Sequence, residues 1–315
     1  MLRIIRNTSW KIRWMIGAVV ILAILGLVWS LSPKSVKQDK ATWLWDAGII
    51  KNDPEDIVAF SRKEGVTTIF LQIQSEVREE DYRRFNALAH QAGIQVHALD
   101  GQPEWAYIEH QDKGVRILSW VEQYNAAAAP DEQFQGLQLD VEPYVLKRWE
   151  REEQQVVTEW SENMEIWSQE ADRQELHFSA AVPFWLDNVP SPDGSRNFGY
   201  WIQERTDSVA VMSYRDDGEQ MYELARQELE QADELGTSVW IGMELADTEE
   251  GEHLTFYGKS QSQVNEEALR AASLGTGHSS FAGLAVHHYE AWHHKMNVLD
   301  DKQGQSNDKP VKEHS

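Results

Sequence analysis

The sequence predicts an α/β chain folded as a (β/α)8 TIM barrel and preceded by a single N-terminal transmembrane helix. Three observations lead there. Between Ala41 and about Met296, a short apolar strand, a polar loop and an amphipathic helix alternate eight times, with no recognisable sequence repeat. The first strand is followed by Trp45-Asp46-Ala47-Gly48, which lacks the glycine-rich phosphate loop usual in a doubly wound sheet. Ahead of these units, Trp14 to Leu31 is an uncharged apolar run of 18 residues, long enough to cross a bilayer.

Arg3, Arg6, Lys11 and Arg13 precede that run and predict a cytoplasmic N-terminus, which puts the body of the chain outside the membrane. A cleaved signal peptide is the competing reading, but Ser30-Leu31-Ser32-Pro33 offers no clear small-x-small cleavage site and the apolar core is long, so the run is expected to be an uncleaved signal-anchor. The expected organisation is a basic N-terminus at 1–13, a transmembrane segment at 14–31, a polar linker at 32–40, the barrel at 41–296 and a disordered tail at 297–315. The chain has no cysteine, which excludes disulfides and thiolate chemistry. The first forty residues carry seven Lys and Arg against one Asp, so the net charge of −23 becomes −29 on residues 41–315. A body this acidic repels nucleic acid and anionic lipid.

Strand one is Thr42 to Asp46, and its helix starts at Asp53-Pro54, an N-cap with proline at the first helical position, and ends at Gly65. Strand two runs from Thr67 to Gln74 and alternates Ile69, Leu71 and Ile73 with Phe70, Gln72 and Gln74. A helix from Glu79 to Gln91 closes on Gly93, and strand three is Gln95 to Leu99, followed by Asp100-Gly101. A helix over Val115 to Ala128 leads to strand four, which opens at Gly136 and is stopped by Pro143. Strand five is Leu176 to Val182, followed by a long loop through Pro190, Pro192 and Gly194. Strands six and seven are Ser208 to Tyr214 and Ser238 to Glu244, separated by a helix from Glu219 to Glu234 that stops at Gly236. The last helix, Val264 to Leu274, precedes strand eight, Phe281 to Glu290.

In a parallel barrel, catalysis sits at the C-terminal ends of the strands. Those ends carry Asp46, Gln74 with Glu76, Asp100, Asp140 with Glu142, Trp185, Tyr214, Glu244, and His288 to Glu290. Helix capping is the competing account of Asp46, Glu76 and Asp100. On strand four, Leu137, Leu139 and Val141 alternate with Gln138, Asp140 and Glu142, so the last three share the inward face at roughly 6.5–7 Å intervals. Two carboxyls that close cannot both ionise without cost, so one holds its proton toward neutral pH. Glycoside hydrolysis needs such an acid to protonate the departing oxygen. A solvated or structural carboxylate pair is the alternative.

Gly136, Asp140 and Glu142 on strand four, with Met212 and Tyr214 on strand six, resemble the motifs Gly-x-Asp-x-Asp-x-Glu and Met-x-Tyr-Asp of the family 18 glycoside hydrolases, the chitinase and endo-N-acetylglucosaminidase group. The resemblance implies Glu142 as general acid/base and Asp140 orienting a substrate acetamido group that acts as nucleophile. It also implies Tyr214 bonding to that group and Trp292 as the aromatic floor under the sugar. Gln138 stands where the family has its first Asp, and Arg215 stands where Asp follows the Tyr, with Asp216 one residue later. Glu142-Pro143 with Glu244 on strand seven also looks like the acid/base and nucleophile of the large retaining clan of barrel glycosidases, though Val141 replaces its Asn. Leu139-Asp140-Val141-Glu142 with Asp46 looks like the family 25 lysozymes. All three assign Glu142.

Trp120, Trp149, Trp160 and Trp167 fall in helices and read as packing residues, whereas Trp45, Trp105, Trp185, Trp201 and Trp292 lie near strand ends, where indoles can stack on sugars. One of His287 and His288 must face inward; His288, with Gln74, Asp100, Gln138 and Asp216, completes the expected substrate-binding set. The spacing of His287, His288, His293 and His294 matches no zinc signature, so neither metal nor cofactor is expected. The sequence thus points to a membrane-anchored, extracytoplasmic glycosidase acting on a polysaccharide, with a non-catalytic glycan-binding barrel as the alternative.

Overall fold

The computed structural model describes residues 39–297. The expected spanning segment at 14–31, the N-terminus before it, most of the linker and the tail from 298 lie outside the described residues. Among the described residues, no helix is long and apolar enough to cross a membrane.

Eight parallel strands close into a barrel in sequence order. They are β1 (Lys40–Leu44), β2 (Val66–Gln72), β3 (Gln95–Asp100), β4 (Gly136–Leu139), β5 (His177–Pro183), β6 (Ser208–Met212), β7 (Ser238–Glu244) and β8 (Phe281–His287). The ring shuts where Ala41 and Thr42 pair with Ala285 and Val286. The helices around it are α1 (Pro54–Glu64), α2 (Glu79–Gln91), α3 (Gln111–Ala127), α4 (Trp149–Arg173), α5 (Phe198–Gln203), α6 (Gly218–Leu235) and α7 (Gln261–Gly275), and a last helical segment covers 289–297.

Local chemistry explains most of these bounds. Pro54 opens α1 and Gly65 ends it in the left-handed conformation at φ 81°. Acidic Glu79, Glu80 and Asp81 occupy the first turn of α2, where the helix dipole favours them. Ser260 and Gln263 form a reciprocal capping box on α7. Strand side chains alternate between two cores: Leu44, Ile69, Leu71, Val96, Leu137 and Val209 pack outward under the helices, whereas Trp43, Phe70, Leu99, Ala210, Trp240 and Ala285 fill the barrel.

Several strands stop earlier than the alternation predicts. β1 ends at Leu44, β4 at Leu139, β6 at Met212 and β8 at His287, so Asp46, Asp140, Glu142 and Tyr214 stand on the connections above the ring and Glu290 in the last helical segment. On the β3 side the pairing runs out: Leu139 pairs with Asp100, the last residue of that strand.

Candidate functional site

A cavity of about 290 Å3 opens at the C-terminal end of the barrel and collects Trp43, Trp45, Asp140, Glu142, Met212, Tyr214, Glu244 and His287. The loop after β7 adds Thr248, Glu250 and Leu254 to its wall.

Below the acid pair, Gln138 is completely buried, and its Oε1 accepts from the Trp43 indole N–H at 2.6 Å. That bond fixes the amide, and its Nε2 is left without a partner, as is the buried Oδ1 of Asp140 above it. Asp140 leaves the strand through a backbone bond from its N–H to the Asp100 carbonyl, at 3.0 Å. Gly101 makes this approach feasible: at φ 155°, a Cβ there would lie 2.1 Å from the Asp140 oxygen. Burial first, and the Glu142 charge second, raise the pKa of the Asp140 carboxyl well above the usual carboxylate range. Asp140 therefore keeps its proton at pH values where an exposed Asp is ionised.

Glu142 sits at the start of the Pro143–Val145 turn, and its Oε1 accepts from the Tyr144 hydroxyl. The Tyr144 ring packs edge-on against Trp185 at 4.9 Å, and Trp185 in turn meets Trp149 at 6.0 Å, so the turn rests on an aromatic buttress. Tyr214 reaches into the cavity because Gly242 has no side chain: a Cβ there would come within 3.0 Å of its ring. Burial, then the charges of Glu244, Asp140 and Glu142, raise the Tyr214 phenol far above its ordinary pKa, so it remains a hydrogen-bond donor.

Glu244 is fully engaged. Its Oε1 accepts from the Ala246 N–H and its Oε2 from His287 Nδ1, both at 2.6 Å. The Trp45 indole N–H donates to His287 Nε2 at 3.2 Å, which fixes the tautomer: Nδ1 carries the hydrogen given to Glu244. Trp45, His287 and Glu244 thus form one hydrogen-bonded wall of the cavity.

The other expected residues lie elsewhere. Trp292 does not floor the cavity; it is 4 % exposed, packs on Phe60 at 5.4 Å and faces the Lys40 ammonium at the opposite end of β1. The inward histidine is His287 rather than His288, which bonds to Glu290 at 2.5 Å. Asp46 caps the turn after β1 by accepting from the Gly48 N–H, and Gln74 donates to the Trp45 carbonyl. Asp216 is paired with Lys259 at 2.6 Å, and Arg215 lies over the Phe184 ring, so neither takes the place of the Asp expected after Tyr214. Asp100 faces a neighbouring cavity. Trp43, Tyr144 and the loop residues of the cavity carried no signal of their own, although the alternation along β1 turns Trp43 inward with Trp45. Among the described residues, no cluster of His, Asp and Glu could hold a metal ion.

No protein-family model matches the chain, and no curated protein matches it. Among solved structures, a chitinase from Bacteroides thetaiotaomicron superposes with a TM-score of 0.53 at 12% identity, over 88% of this chain and 99% of that one. The spore cortex-lytic enzyme SleL of Bacillus megaterium gives 0.53 at 11% identity, over 86% and 75%. A GH18 chitinase from Cycas revoluta gives 0.45 at 14%, over 84% and 97%. At these identities the likeness is one of fold. The chain is a closed (β/α)8 barrel, and its fold is like that of the Bacteroides chitinase and of the spore cortex-lytic enzyme.

Proposed function

We propose that this protein is a membrane-anchored glycoside hydrolase that cleaves O-glycosidic bonds of an amino-sugar polysaccharide outside the cytoplasm, with Glu142 as general acid/base. The observation that carries it is the arrangement of Asp140, Glu142 and Tyr214 around one cavity at the catalytic end of the barrel. Glu142 gives a proton to the departing oxygen and later takes one from water. Asp140, with one buried oxygen unbonded, accepts from the substrate amide N–H, and Tyr214 donates to its carbonyl oxygen, which holds the acetamido group under the anomeric carbon. Glu244, with both oxygens engaged, serves to hold His287 rather than to attack the sugar.

The test is reducing-end release from chitin oligosaccharides and peptidoglycan glycan strands by the wild type and Glu142→Gln. A loss of about 10²–10⁴-fold with an unchanged far-UV spectrum is expected. Equal turnover by both would remove the assignment. The anchor rests on the apolar run Trp14–Leu31; protease digestion of intact cells should degrade the barrel, and a protected barrel would place it inside.

The second reading, a glycan-binding barrel without turnover, is favoured by Gln138, which puts a fixed amide beneath Asp140, and by Arg215, turned away onto Phe184. Saturable binding of the same oligosaccharides with no product from the wild type would establish it.

A further inference from the structure

A second cavity, of about 520 Å3, opens beside the first, between the end of β3 and α3. One backbone bond links their walls: the Asp140 N–H donates to the carbonyl of Asp100, which lines the second cavity.

Their chemistry is opposite. The catalytic cavity is lined by four carboxyls, Asp140, Glu142, Glu244 and Glu250, and by no lysine or arginine among the described residues. The second is lined by Lys113 and Arg116, three residues apart on α3 and so on one helix face. Its only acid is Asp100, whose carboxyl pKa burial raises and whose Oδ1 is occupied by the Gly101 N–H at 2.9 Å. Arg116 is paired with Asp112 at 2.7 Å, but both side chains are about three-fifths exposed, and such a pair is exchanged at little cost. Two cations thus line one cavity of a chain that carries −23.

The remaining wall suits a sugar. Trp105 and Trp120 line the same cavity, and both rings are held: Trp120 is stacked on Tyr124 at 5.3 Å, and Trp105 meets Trp167 edge-on at 6.5 Å. A fixed indole offers a flat apolar face to a pyranose ring at little cost in side-chain entropy, while guanidinium and ammonium groups beside it bind a carboxylate. Gln123 adds an uncharged donor and acceptor.

We infer that the Lys113–Arg116–Trp120 cavity binds a carboxylate-bearing sugar of the same glycan whose neutral neighbour occupies the catalytic cavity. The substrate is then a polymer in which neutral and acidic sugars adjoin, and an unsubstituted neutral chain fills only half of the surface. This rests on the glycan reading above but not on turnover.

The test uses the full-length chain carrying Glu142→Gln and calorimetric titration at low salt with three probes. N-acetylglucosamine is neutral, N-acetylmuramic acid is the same sugar with an added lactyl carboxylate, and N-acetylmuramyl-L-alanyl-D-isoglutamine places its carboxylate at the end of a short peptide arm. At least one acidic probe should bind about ten-fold more tightly than N-acetylglucosamine. The advantage should vanish in Lys113→Met/Arg116→Met and in high salt, with N-acetylglucosamine binding unchanged. The tighter of the two acidic probes identifies the source of the carboxylate. Equal affinity for the neutral and acidic probes, or a preference that survives in the double variant, would overturn the inference. A wild type that turns over no glycan but keeps the preference would remove the hydrolase reading and leave this site standing.

Discussion

Tyr144 donates its phenolic hydrogen to Oε1 of Glu142, so the turn that follows β4 folds back onto the carboxyl at its start. Tyr144→Phe removes that donor but keeps the ring on Trp185, so the Glu142 carboxyl loses the contact that holds it in place. kcat should fall by about ten-fold with little effect on KM, because the proton donor is no longer held in line with the departing oxygen. An unchanged kcat would show that the contact does not position Glu142.

Glu142 and Glu244 should respond differently to the same change. Glu244→Gln keeps an acceptor for the Ala246 N–H and stays beside His287, so a loss of less than about ten-fold is expected, against about 10²–10⁴-fold for Glu142→Gln. Rates measured side by side on one substrate decide this. Comparable losses would return Glu244 to the role of nucleophile.

Gly101 is a packing constraint on the site. Alanine there meets the Asp140 backbone oxygen at 2.1 Å and must hold φ at 155°, so Gly101→Ala should cost at least about 2 kcal/mol in denaturant unfolding and displace Asp140. Gly93 is left-handed too, but a Cβ there has open space, so Gly93→Ala should cost about 1 kcal/mol and leave activity unchanged.

Glu228 on α6 supplies a pH dependence remote from the site. It is 1 % exposed with both carboxyl oxygens unbonded, and burial pushes its pKa up to about 8. The folded state therefore binds a proton more tightly than the unfolded chain, and stability falls as pH rises from about 4.5 to 8. Glu228→Gln should flatten that fall and be more stable than the wild type at pH 8 by a few kcal/mol, read from urea midpoints at pH 5 and pH 8. Parallel curves for the two proteins would contradict this.

Side-chain parity along a strand was open to inspection in the sequence. Gln138, Asp140 and Glu142 share a face because successive residues of an extended chain point to opposite sides, and in the fold Asp140 and Glu142 both reach the cavity above the buried Gln138. Helix bounds set by local chemistry were open in the same way: α2 spans Glu79–Gln91 as its acidic first turn and the following Gly93 predict. Residues just past a strand were not, because their direction depends on contacts with distant parts of the chain. Trp292 turned into the core against Phe60 and Asp216 went to Lys259, whereas His287, the last residue of β8, faces inward on the parity of Ala285 and leaves His288 beyond the strand.

The sequence by itself determined the eight-fold alternation and the acidic pair that follows β4, since both follow from the order of apolar and polar residues along a chain of fixed period. Only the tertiary structure decided which strand-end groups meet. Closure of the ring brings Trp45 and His287, 242 residues apart, within 3.2 Å, and no local rule encodes a distance of that kind.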